Sequence, residues 1–145
     1  MSHKLKMTAG EIAGFLDVEY PEMHEGGQSI FVETVELAAA TVRFKAGERH
    51  LRPGGTVSGP WQFTLADIAG FVALLAYVGP VALAVTTSAT INFLRRPPPG
   101  DLIATARMLK NGRSLVVVDV GIAPEGSIDL VSHAVLTYSL PPAKK

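Results

Sequence analysis

The chain has no cysteine, which excludes disulfides, thiolate metal sites and a cysteine nucleophile together. It has no net charge either, because thirteen basic residues offset thirteen acidic ones. No overall field therefore draws in nucleic acid or an anionic membrane, and an anionic ligand must be held by a local cluster. Histidine is scarce: His50 precedes a glycine-rich loop and His133 stands alone, neither with a second ligand at metal-binding spacing. No apolar run follows Lys4 and Lys6 to form a signal peptide, so cytoplasmic residence is expected. The apolar stretch from Gly59 to Val85 contains Asp67 and is broken at Gly79-Pro80, which argues against a membrane span. At 145 residues the chain reads as one domain, 1–145, with about 1–29 as an N-terminal helix and loop.

Against this background one charge stands out. Asp67 is the only charged residue between Arg52 and Arg95, and it lies in the middle of the apolar stretch from Pro60 to Val78. An ionised carboxylate withdrawn from water costs several kcal/mol unless a partner or a chemical role offsets it. Asp67 is therefore either a structural carboxylate, capping a loop or paired with Arg52, or a functional one.

Thr8 is placed to cap a short helix over Ala9 to Leu16, where Ile12, Phe15 and Leu16 fall at helical spacing. Tyr20 to Gly27 reads as loop, and Val32 to Phe44 as one strand or one strand with a bulge. Leu51 to Pro60 is too rich in glycine and proline to be strand or helix throughout. Pro60 suits a first helical position capped by Ser58 or Gly59, and the helix then runs to about Val78. Its apolar residues surround the axis, so it must be enclosed on most sides, with Trp61 and Phe63 expected in the core. The remainder reads as strands Ala84 to Leu94, Leu102 to Lys110, Ser114 to Ile122 and Leu130 to Leu140, with turns at Asn111-Gly112 and Pro124-Glu125-Gly126. The last three strands form an antiparallel meander whose face carrying Val116, Val118, Val120 and Ile122 packs on the helix.

Four segments carry a resemblance: Pro53-Gly54-Gly55-Thr56-Val57-Ser58-Gly59, Thr64-Leu65-Ala66-Asp67, Thr90-Ile91-Asn92-Phe93-Leu94-Arg95 and Gly100-Asp101-Leu102-Ile103-Ala104-Thr105-Ala106. In order and spacing, over about Glu48 to Leu140, the chain resembles the acyl-CoA thioesterases of the phenylacetic acid degradation (PaaI-like) type. The resemblance implies a hotdog fold, an α+β architecture in which a curled antiparallel sheet wraps a long central helix. It also implies hydrolysis of a small or medium acyl-CoA to free acid and CoA, with no metal or redox cofactor. By position, Gly59 becomes the N–H donor to the thioester carbonyl and Asp67 the catalytic carboxylate, as general base or as nucleophile. A helix N-terminus suits a developing oxyanion because it concentrates unpaired N–H groups and the positive end of the macrodipole. The family's hydroxyl residue on the next strand maps near Thr86, with Thr87 and Ser88 adjacent.

Two positions depart from the pattern. The family's His-Gly-Gly is Ser58-Gly59-Pro60, which loses the histidine and, through proline, one N–H. The family's amide residue, fifteen positions before the acid, is Arg52, which can polarise a carbonyl or hold phosphate but cannot accept a hydrogen bond from water. Arg95, Arg96 and Arg113 are either solvated surface or the groups that hold the CoA phosphates, and Trp61 is a candidate for the acyl-pocket wall. A sheet edge and the family's habit of building its site between subunits imply a homodimer or a dimer of dimers. Two rivals remain. One is a non-catalytic acyl-CoA or lipid-binding protein of this fold, suggested by the lost histidine and by Arg52. The other, ranked last, is a hotdog hydratase or dehydratase, which needs a histidine that neither the loop nor the helix supplies.

Overall fold

The structure is a computed structural model that describes residues 4–142. Helix α1 (Ala9–Glu19) starts on a capping box: Thr8 Oγ1 accepts from the Glu11 N–H, and the Glu11 carboxylate accepts from the Thr8 N–H. Those bonds hold the Glu11 carboxyl below the usual carboxylate range. α1 buries Ile12 and Leu16, one turn apart, and runs past Leu16, where the apolar spacing ends. Its last turn faces solvent and needs no apolar residue. The following segment, read as loop, contains a 3-10 turn over Pro21–His24.

The single strand expected from Val32 to Phe44 is a hairpin, β1 (Ile30–Glu36) and β2 (Ala39–Phe44). Its turn passes through Ala38 at φ 67°. A left-handed residue there is ordinarily glycine or asparagine, so an alanine hides the turn from sequence reading. Ala40, Val42 and Phe44 are buried while Thr41 and Arg43 face outward, as the alternation requires. Arg43 gathers the carboxylates of Glu33, Asp101 and Glu125, fastening β1 and β2 to the far turns and raising its own pKa, through those bonds, above the ordinary guanidinium value.

The glycine- and proline-rich loop forms a two-residue ribbon, β3 (Leu51–Arg52) with β4 (Thr56–Val57). Helix α2 (Gly59–Val78) follows, with Ser58 as N-cap and the chain leaving at Gly79. Strands β5 (Val85–Phe93), β6 (Leu102–Asn111), β7 (Leu115–Pro124) and β8 (Ser132–Ser139) complete one antiparallel sheet of order β1-β2-β6-β7-β8-β5. The hairpin turn lies at Gly112 to Ser114, one step beyond the Asn111-Gly112 pair: Asn111 still pairs with Val116, and the register slips near Leu109. Val116, Val118, Val120 and Ile122 are fully buried against α2, each stabilising the domain by about 1.5–3 kcal/mol.

Among the described residues α2 is the one helix long and apolar enough to cross a membrane, and it is the core helix of this domain. The sheet does not cover all of it. Phe63, expected in the core, is 38% exposed, and Trp61, Thr64, Asp67 and Phe71 are only half-buried. Phe63, Asp67 and Phe71 recur every four residues, so they form one uncovered stripe. Beside it runs β5, an edge strand with exposed Val85 and Phe93.

Candidate active site

At its start α2 presents free donors. The Ser58 N–H bonds to His50 O and the Gln62 N–H to Ser58 O. Gly59 and Trp61 have no preceding helical carbonyl to bind, Pro60 has no N–H, and the Ser58 side chain makes no capping bond. A cavity of about 660 Å³ opens there, lined by Arg52, Arg95, Arg96, Gly59, Gln62 and Phe93 among others, with no carboxylate in its wall. Gln62 is 4% exposed; its Nε2 donates to Val57 O, while its Oε1 has no partner. The wall thus holds three guanidiniums and one spare acceptor.

Two turns along, Asp67 is held from two sides. Thr86 Oγ1 donates to Asp67 Oδ1 at 2.8 Å, and the single O–H of Tyr138 is shared between Asp67 O at 2.8 Å and Oδ1 at 3.2 Å. Thr86 and Tyr138 are cross-strand partners on β5 and β8. The inward residues of β5 run Phe93, Ile91, Ala89, and strict alternation would make Thr87 the next. A bulge between Thr86 and Ser88 turns Thr86 inward instead, and the Thr87 hydroxyl goes to Thr137 O. Tyr138 is 1% exposed, and burial first, then the Asp67 charge, raise its pKa above the ordinary phenol value, so it stays a donor. Its hydroxyl fits because residue 70 is glycine: a Cβ there would lie 2.3 Å from Tyr138 Oη. Asp67 is half-buried rather than fully withdrawn from water, and these bonds offset the partial burial. Among the described residues no ion pair reaches it, and Arg52 lies at the other end of this helical segment.

Asp67, Thr86 and Tyr138 line a second cavity of about 220 Å³. Its remaining wall comes from α1, from Tyr20 just after it, and from Ile68, Phe71, Ala82 and Ala84. Trp61 is not part of it. The indole packs between the His50 ring, edge-on at 4.4 Å, and the Arg49 guanidinium at 5.1 Å, anchoring the loop before α2 to Phe44 and the core. Arg113 lies on the β6–β7 turn, beside the Val85 end of β5, whereas Arg95 and Arg96 follow its Phe93 end. His133 pairs with Asp119 at 3.1 Å on the outer face of the sheet, and among the described residues no group of three or more His, Asp or Glu side chains is placed to hold a metal ion. Sequence reading passed over Tyr138, although a tyrosine on the buried face of an alternating strand carries a hydroxyl that needs a partner.

The chain matches the family model of the thioesterase superfamily over residues 54–129. It belongs to the thioesterase superfamily. A solved structure from Silicibacter sp. TM1040, provisionally assigned as a thioesterase, is 40% identical over 97% of this chain and 96% of its own, with a TM-score of 0.86. The Escherichia coli PaaI protein from the phenylacetic acid degradation operon is 23% identical, covers 97% of this chain and 99% of its own, and superposes with a TM-score of 0.81; at that identity it shares the fold. A provisionally named esterase of Saccharolobus solfataricus is 28% identical over 128 residues, 88% of this chain and 76% of the relative. The fold of this superfamily member is the hotdog: a long helix packed on a curled antiparallel sheet of six strands.

Gly59 and Asp67 stand eight residues apart on one helix, a rise of about 12 Å. A reacting carbonyl must lie within about 3 Å of its donor and its attacking group. The Gly59 N–H and the Asp67 carboxylate of one chain are therefore too far apart to touch one carbonyl together.

Proposed function

We propose that this thioesterase-superfamily protein hydrolyses an acyl-CoA thioester in a site completed by two copies of the chain. The observation that carries the reading is the position of β5 between the two half-sites. Its Thr86 end touches Asp67. Its other end packs Phe93 against Gly59, close enough that a Cβ on Gly59 would meet the ring at 3.2 Å. Antiparallel pairing of β5 with the β5 of a second copy, centred between Ala89 and Thr90, brings Thr86 opposite Phe93. The Asp67 of each copy then faces the Gly59 of the other. The same pairing closes an open edge strand, covers the bare stripe of α2, and brings Arg113 to the end occupied by Arg95 and Arg96 of the second copy. A homodimer, or a dimer of such dimers, is the functional unit.

In that unit the thioester oxygen rests on the Gly59 N–H, at the positive end of α2. Asp67, oriented by Thr86 and Tyr138, takes a proton from water as the water adds to the carbonyl carbon. The tetrahedral intermediate expels the CoA thiolate, which takes that proton back, leaving free acid and CoA. Direct attack by Asp67 to give an anhydride, then hydrolysed by water, uses the same groups. The CoA phosphates fall to Arg52, Arg95 and Arg96, with Arg113 from the other copy. Arg52 cannot accept a hydrogen bond from the water, and the unpaired Gln62 Oε1 is the acceptor left in that wall.

The test is release of free CoA from a panel of aliphatic and aromatic acyl-CoAs, followed by thiol capture. Release above the spontaneous rate from at least one member is expected. CoA binding without release from any member would turn the reading to a non-catalytic acyl-CoA-binding protein, the alternative that Arg52 and the lost histidine favour.

A further inference from the structure

We infer that the cavity beside Asp67 is the acyl pocket, that it takes a neutral apolar acyl group of about nine non-hydrogen atoms, and that α1 sets this preference. The inference rests on the thioesterase reading and adds to it the substrate class and the residues that select it. α1 lies outside the segment that matches the family model, residues 54–129, so the match itself says nothing about the acyl group. Yet Phe15 and Leu16 of α1 line the same cavity as Asp67, Ile68 and Phe71 of α2. Leu16 is buried, while Phe15 is half-buried and forms the partly exposed part of the wall.

Size and charge narrow the ligand. An apolar cavity of about 150 Å³ takes up benzene, with six non-hydrogen atoms. By the same ratio a cavity of about 220 Å³ holds roughly nine, the size of an octanoyl or benzoyl group. The two charged residues in the wall, Glu19 and Asp67, are both acidic, and no lysine or arginine lines it. An acyl group ending in a second carboxylate would meet like charge in a partly apolar cavity, so dicarboxylic acyl-CoAs are rejected.

The experiment is a kcat/KM series on acetyl-, hexanoyl-, octanoyl-, dodecanoyl-, benzoyl- and glutaryl-CoA for the wild type, Phe15→Ala and Phe15→Trp. Each methylene buried is worth about fourfold, so burial of even half of the six extra methylenes should put octanoyl-CoA above acetyl-CoA by roughly 60-fold, and hexanoyl-CoA should exceed glutaryl-CoA. The linear and aromatic arms decide between the two shapes of that size. Phe15→Trp should lower the octanoyl-to-acetyl ratio at least roughly fivefold, and Phe15→Ala should move the optimum toward dodecanoyl-CoA. Equal factors across the panel for both variants, or a preference for acetyl- or glutaryl-CoA, would overturn the inference. If the wild type releases no CoA at all, the thioesterase reading fails by itself, and thermal protection still tests the pocket. Octanoyl-CoA should then raise the Tm above acetyl-CoA in the wild type and lose that advantage in Phe15→Trp; equal protection by both in the wild type would end the proposal.

Discussion

The two ends of the seam between α2 and β5 are chemical opposites. At the Gly59–Phe93 end, three guanidiniums and a helix N-terminus face an open cavity free of carboxylates. At the Asp67–Thr86 end, two carboxylates and a set of apolar side chains line a smaller cavity under α1. An acyl-CoA has the same division, polyanionic at one end and apolar at the other, with the reacting carbonyl between. One chain holds both halves about 12 Å apart along a rigid helix, and the proposed pairing, in which a second copy inverts the order, would set opposite ends side by side.

The largest effect should come from breaking one half at a time. Asp67→Asn keeps the shape and removes the base, and turnover should fall by roughly 10² or more while binding persists. Gly59→Pro removes the donor at a position where no helical bond is lost, and should cost about 10²–10³ in kcat; Gly59→Ala, which crowds Phe93 in the same way but keeps the N–H, should cost less. If the halves come from different copies, mixing the two inactive variants through unfolding and refolding should restore activity, because each mixed dimer contains one intact site. Mixtures as inactive as their parents, or a fully active monomer by light scattering, would remove the two-copy arrangement.

A smaller effect should separate the ends by charge. Alanine at Arg52, Arg95, Arg96 or Arg113 should raise KM several-fold with little change in kcat, since phosphate contact binds ground and transition states alike. The difference should shrink with added salt, as exposed charges are screened over about 10 Å at ordinary ionic strength. Kinetics unchanged in all four at low salt would return them to solvated surface.

Much of this comparison was legible before any coordinates. Asp67 announced itself by isolation among apolar residues, and the glycine- and proline-rich run announced the start of α2. The four C-terminal strands followed from alternation and turn residues to within one or two positions. What could not be read has physical causes. The β1–β2 turn hid behind Ala38, a residue that rarely takes φ 67°. Thr86 was distinguished from Thr87 only by a bulge that local composition does not encode. Tyr138 lies 71 residues from Asp67, and α1 roofs a cavity built from elements far along the chain, so both contacts depend on the complete fold. Phe63 read as core because the sheet was expected to enclose α2, whereas one stripe is left bare; Trp61 does pack against the core, on Phe44 and His50.

A structural prediction sharpens the Asp67 end. Gly70→Ala should drive a methyl into the Tyr138 hydroxyl and cost about 1–3 kcal/mol, read as a fall in Tm. Tyr138→Phe removes the hydroxyl, so the double variant should recover part of that loss while still lacking the bond to Asp67. No recovery would mean that the strain lies elsewhere than in this contact.

The smallest effect belongs to the other end and depends on pH. His50 is buried, its Nδ1 accepts from the Gly47 N–H at 2.7 Å, and its carbonyl accepts from the Ser58 N–H that caps α2. Burial first, and then the charge of neighbouring Arg49, hold the imidazole below the ordinary histidine range. The native state therefore keeps a neutral ring where the unfolded chain takes up a proton at about pH 6.5. Above that pH both states are neutral and the stability contribution is fully present. As pH falls through 6.5 the unfolded chain protonates first, so stability declines until the lower native pKa is reached and is flat beneath it. Tm measured from pH 7.5 to 5 should fall for the wild type and fall less steeply for His50→Asn, which keeps an acceptor for Gly47 and cannot charge. Equal slopes would show that protonation of His50 does not contribute to acid loss at the start of α2.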